Sequence, residues 1–140
     1  MYRPRFPWLQ LTGLALCLSA MACGNDTVAT TPTPVSPSIT DHFQGTLTRN
    51  GAVVYTFPST GAGAVSAVLV ALGPDSSLVV GLSLGTWSDP VCSIVLANDK
   101  AVVGTIVTGA ITSAGNLCAR LYDVGNLTQP QTFDVAIVHP

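Results

Sequence analysis

From Asp41 to the end of the chain, apolar residues recur at every second position in short runs, and each run stops at Gly, Asn, Asp, Ser or Pro. A period of two places alternate side chains on opposite faces of an extended strand, so each run predicts a half-buried β-strand. The predicted strands are 43–48, 52–57, 64–72, 78–84, 91–97, 102–111, 117–123 and 132–139. Val65, Ala67, Leu69 and Ala71 share one face; so do Leu78, Val80, Leu82 and Leu84; so do Phe133, Val135, Ile137 and His139. Asn50-Gly51 between the first two runs predicts a hairpin, because both residues accept positive φ. Asn98-Asp99-Lys100 predicts a turn. About eight strands with no helical periodicity predict an all-β domain, an antiparallel β-sandwich of jelly-roll-like type over residues 41–140.

The first forty residues read differently. Met1 to Trp8 holds Arg3 and Arg5 and no acid, and Leu9 to Ala22 is mostly apolar. That run is short for a membrane-spanning helix, which needs about 20 residues, and instead fits the hydrophobic region of an export signal over residues 1–22. Leu18-Ser-Ala-Met-Ala-Cys23 follows, and this resembles the lipobox of bacterial lipoproteins, with Ala20 where Leu is usual. The resemblance implies cleavage before Cys23, acylation of its sulfur and a lipid anchor in the membrane. Gly24 after the Cys fits outer-membrane sorting as known for enteric lipoproteins. Ala20-Met-Ala22 also fits an ordinary signal peptidase site, which would make the protein secreted or periplasmic. Residues 23–40 are rich in Thr, Ser and Pro and have no apolar period, the composition of a disordered tether.

Composition narrows the chemistry. All seven acids are Asp, and after loss of the leader they face only Arg49, Lys100 and Arg120. No basic stripe exists to follow phosphates, so no nucleic-acid partner is expected. Cys17 leaves with the leader and an acylated Cys23 has no free thiol, which leaves Cys92 and Cys118 to pair in an oxidising compartment. Such a bridge contributes about 3–4 kcal/mol by loop-closure entropy. Cys118 has the strand parity of Arg120 and Tyr122, not of Leu117, Ala119 and Leu121, so the bridge is expected at an outer face or strand end.

Catalytic constellations find little material. A Ser-His-Asp triad lacks a GxSxG elbow, and His42 and His139 read as exposed strand-end imidazoles. Asp75, Asp89 and Asp99 stand in turn contexts, where Asp serves local backbone hydrogen bonds. Asp89, Asp99 and Asp123 lack EF-hand spacing for calcium, and two isolated Cys with two His do not make a zinc motif. No metal or cofactor is expected. Trp87 and Tyr122 are candidate stacking rings for a sugar or a partner; their bland alternative is packing over a sandwich end. Asn126-Leu-Thr128 matches a glycosylation sequon.

Four segments carry a further likeness: Gly51-Ala-Val-Val-Tyr-Thr-Phe57, Pro74-Asp-Ser-Ser-Leu-Val-Val-Gly-Leu82, Ser113-Ala-Gly-Asn-Leu-Cys-Ala-Arg-Leu-Tyr-Asp-Val-Gly-Asn126 and Thr132-Phe-Asp-Val-Ala-Ile-Val138. Over residues 42–139 the chain resembles the bacterial pre-peptidase C-terminal domain. The resemblance implies a non-catalytic sandwich from a family in which some members bind calcium, collagen or polysaccharide. The expected function is a non-catalytic, lipid-anchored binding or structural module of the cell envelope, with a polysaccharide or an envelope protein as partner. An accessory subunit of an envelope assembly is the alternative, and a small secreted hydrolase the third.

Overall fold

A computed structural model describes residues 37–140. The expected leader, the lipidation site Cys23 and the tether up to residue 36 lie outside the described residues. Eight strands follow in order: β1 Ile39–Leu47, β2 Ala52–Ser59, β3 Gly63–Gly73, β4 Val80–Ser88, β5 Val91–Ala101, β6 Ile106–Ile111, β7 Gly115–Tyr122 and β8 Gln131–His139. They form two four-stranded antiparallel sheets, β1-β8-β3-β6 and β2-β7-β4-β5. This is the jelly-roll order, and the eight-stranded all-β sandwich read from the alternation is the fold observed.

Only β4 and β5, joined at Asp89-Pro90, are consecutive strands that pair with each other. Every other connection crosses from one sheet to the other. The hairpin expected at Asn50-Gly51 is therefore corrected: β1 pairs with β8 and β2 with β7. A type I′ hairpin turn needs positive φ at both central residues. Here Asn50 alone has it (φ 53°), and Gly51 N–H donates to Thr48 O at 2.9 Å. That is the pattern of a type II turn, which carries the chain across the sandwich.

Local departures from strict alternation reset the faces. Val70 is an extra residue in β3, so Leu72, not Ala71, turns inward, opposite Phe133. The expected turn at Asn98–Lys100 lies inside β5, where Lys100 N–H donates to Asn98 Oδ1 and the register slips against β4. Its turn chemistry is spent on a bulge. The turn proper falls later, at Val102–Thr105 with Gly104 at φ 91°, so the strand predicted from Val102 begins at Ile106.

The core lies between the sheets. Leu69, Val135 and Ile137 from one sheet face Leu82, Ala119 and Leu121 from the other, all buried. On the β1/β2 side the aromatics close the gap. Phe43 stacks on Tyr55 (4.5 Å between centroids), Phe133 meets Tyr55 edge-on, and the Tyr55 hydroxyl donates to Gln44 O at 2.9 Å. Burial pushes the Tyr55 phenol above its ordinary value.

Candidate functional site

The outer face of the β2-β7-β4-β5 sheet holds the candidate residues. Along β4 the outward positions are Gly81, Ser83, Gly85 and Trp87, and along β7 they are Cys118, Arg120 and Tyr122. Tyr122 lies directly opposite Gly81, and its ring occupies the space a Cβ there would take. The Arg120 guanidinium sits 4.7 Å from the ring centroid, within cation–π range. The Tyr122 hydroxyl donates to Asp99 Oδ1 from the bulged end of β5. That hydrogen bond, with burial and the Asp99 charge behind it, raises the Tyr122 phenol above its ordinary value, against the opposing pull of Arg120. The phenol is therefore a neutral donor at physiological pH.

Trp87 is half-buried near the other end of β4, opposite Cys92. Six residues of strand separate it from Gly81, about 20 Å. Trp87 and Tyr122 thus share a face but do not form one stacking platform. Between them lies the disulfide. Cys92 and Cys118 are bonded, with their Cα atoms 5.9 Å apart. The bond crosses over β4, and β5 passes over the outer face at Gly85, where any side chain would collide with the Ser93 carbonyl. Cys118 has the outward parity read from the sequence and stands outside the core cluster, yet it is 0 % exposed. The covering strand accounts for this.

The histidines and acids are bound up elsewhere. His42 Nδ1 lies 3.0 Å from Asp134 Oδ1, and Gln44 Nε2 donates to the other oxygen at 3.0 Å. His42 is exposed, as expected, but His139 is not: it is 2 % exposed. Its ring packs against Phe57 at 4.9 Å, and Nε2 meets Asp41 Oδ2 at 3.1 Å. The inward parity of Phe133, Val135 and Ile137 carries it into the core. Asp75 accepts from the Ser77 hydroxyl and amide, which hold its carboxyl below the usual range.

Asp123, weighed from the sequence only as a calcium ligand, has a structural role that reading missed. Its Oδ2 accepts Asn50 N–H at 2.8 Å, and its Oδ1 accepts the amides of Gly125, Asn126 and Leu127. Burial works to raise its pKa, but the four amide donors outweigh that and lower it. The same carboxylate ties the β1–β2 turn to the loop after β7. Asn126, the sequon residue, donates its side-chain amide to Val79 O at 3.1 Å. Among the described residues, no three His, Cys, Asp or Glu converge as metal ligands. Asp99 and Asp123 have the separate partners given above.

The arrangement defines a class: a jelly-roll β-sandwich with a disulfide on one outer sheet face. No protein-family model matches the chain, and no curated protein matches it.

Proposed function

We propose that the chain is an exported, lipid-anchored module of the cell envelope that binds or scaffolds and does no chemistry. The observation that carries this reading is the Cys92–Cys118 disulfide. Such bonds persist in exported proteins and are reduced in the cytosol. The use made of the acids supports the second half of the reading: Asp41, Asp75, Asp99, Asp123 and Asp134 each hold a hydrogen bond that shapes a turn, a strand end or a sheet face. The jelly roll spans the segments that resemble the pre-peptidase C-terminal domain, and a polysaccharide partner follows from that resemblance. Arg120, Tyr122 and Trp87 offer guanidinium, phenol and indole groups to such a ligand.

Intact-mass measurement of the protein purified from membranes tests the anchor. The expected product begins at Cys23, carries acyl groups and is two hydrogens lighter than the reduced chain. Cys23→Ser should move the protein out of the membrane fraction. A full-length chain with Met1 and free Cys92 and Cys118 in the soluble interior would overturn the proposal. A glycan array probed with the mature protein tests the ligand class, and a signal that survives Tyr122→Ala and Trp87→Ala would remove these residues from the site.

A further inference from the structure

The two ends of the sandwich differ in charge. Ile39, which opens β1, lies at the same end as the turns 59–63, 88–91 and 111–115. Ile39 pairs with His139, Thr60 N–H donates to Pro140 O, Ser59 pairs with Gly115, and Ser88 pairs with Val91. Those three turns hold one charged side chain, Asp89. The opposite end gathers Arg49, Asp75 and Asp123 in its turns, and Asp99 and Lys100 in the bulge of β5. The nearly uncharged end is also apolar at its corners. Ile39 on edge strand β1 is 49 % exposed, and Val91 on edge strand β5 is 56 % exposed. Trp87 stands on the outer sheet face one row in from Val91.

We propose that this end of the domain rests on a zwitterionic phospholipid surface, with Ile39 and Val91 in the headgroup layer and Trp87 at its margin. The inference rests on the lipid-anchor reading above. With acyl groups on Cys23, fifteen residues, Gly24 to Ser38, join the lipid to Ile39, a contour of at most about 50 Å. The link therefore enters at the uncharged end, and the charged end lies a strand length further on, about 30 Å. Val102, Val103 and Ile106 are exposed at that far end too, but they stand among its charges. Two aliphatic side chains and an indole are too little to draw a protein from solution. A tethered domain, however, meets the surface at a roughly millimolar effective concentration, so a weak contact is filled. Trp settles at headgroup level because its ring is amphipathic, and an end with one charge loses little hydration there. Asp89 sets the lipid class, since an anionic surface would repel it. A ligand on Arg120 and Tyr122 would not compete for this contact.

Trp87 reports the contact once Trp8→Phe removes the other tryptophan. The protein purified from membranes is reconstituted into phosphatidylcholine vesicles whose acyl chains are brominated near the headgroup, and the vesicles are collected by flotation. Trp87 emission should shift to the blue and fall about twofold against unbrominated vesicles. Ile39→Asp with Val91→Asp changes two exposed positions; this variant should still float but regain most of the emission. A probe at the far end, Val103→Trp in a chain that also carries Trp8→Phe and Trp87→Phe, should keep its full emission. Floating protein with Trp87 unquenched, quenching that the double variant leaves unchanged, or equal quenching of the Val103→Trp probe would overturn the proposal. A protein that does not float at all fails the anchor reading instead, and the docking falls with it.

Discussion

Asp123 shows how one carboxylate joins distant segments. It accepts amides from Asn50 and from residues 125–127, so it holds two loops at once. Asp123→Ala removes these charge-assisted bonds and should destabilise the domain by about 2–4 kcal/mol, measured by urea unfolding. The pH dependence has a definite sign. Asp75, Asp123 and Asp134 all have lowered pKa values in the folded state. For Asp134, burial opposes the shift, and the hydrogen bonds from His42 and Gln44 and the His42 charge produce it. A lowered carboxyl binds fewer protons folded than unfolded. Its contribution is complete above the unfolded value and is lost as pH falls through the folded one. Stability should therefore decline below about pH 4, with a shallower decline in Asp123→Asn, as acid titration by circular dichroism will show. At Asn50, positive φ makes Asn50→Gly nearly neutral, whereas Asn50→Val should cost about 1–2 kcal/mol. Turn chemistry at these residues is legible in the sequence. Which amides a carboxylate caps is not, because the partners of Asp123 include one 73 residues away.

Among the elements, β5 departs furthest from its sequence pattern. Alternation located it, but its bulges at Val95 and Asp99–Lys100 re-aim its side chains and leave Ile94, Val95 and Leu96 all exposed. The disulfide holds this edge strand across β4. Cys92→Ser with Cys118→Ser should lower stability by about 3–4 kcal/mol and speed amide exchange chiefly in β5. Gly85→Ala should be destabilising by about 1–3 kcal/mol even with the bridge intact, since a methyl would strike the Ser93 backbone. The Cys pairing was legible, because Cys92 and Cys118 are the two cysteines that lie within the predicted strand region. The buried state of Cys118 was not, because it depends on where a neighbouring strand passes.

At the scale of the whole molecule, topology governs folding. With a single hairpin between consecutive strands, nearly all pairings join distant segments. Refolding of the oxidised protein, followed by tryptophan fluorescence, should take roughly milliseconds to seconds. Alternating hydrophobicity located the eight strands and the inward face of most of their residues, but not the faces beyond the bulges at Val70, Val95 and Asp99–Lys100, where an extra residue switches sides. The pairing of Cys92 with Cys118, expected from the sequence, is the bond observed. Only the tertiary structure decided that Asn50-Gly51 bridges two sheets, that His139 is buried against Phe57, and that Trp87 and Tyr122 stand apart. It also decided that aromatic rings seal the β1/β2 side of the sandwich. Those features follow from which strands are neighbours, and backbone pairing between distant strands leaves no periodic mark along the chain.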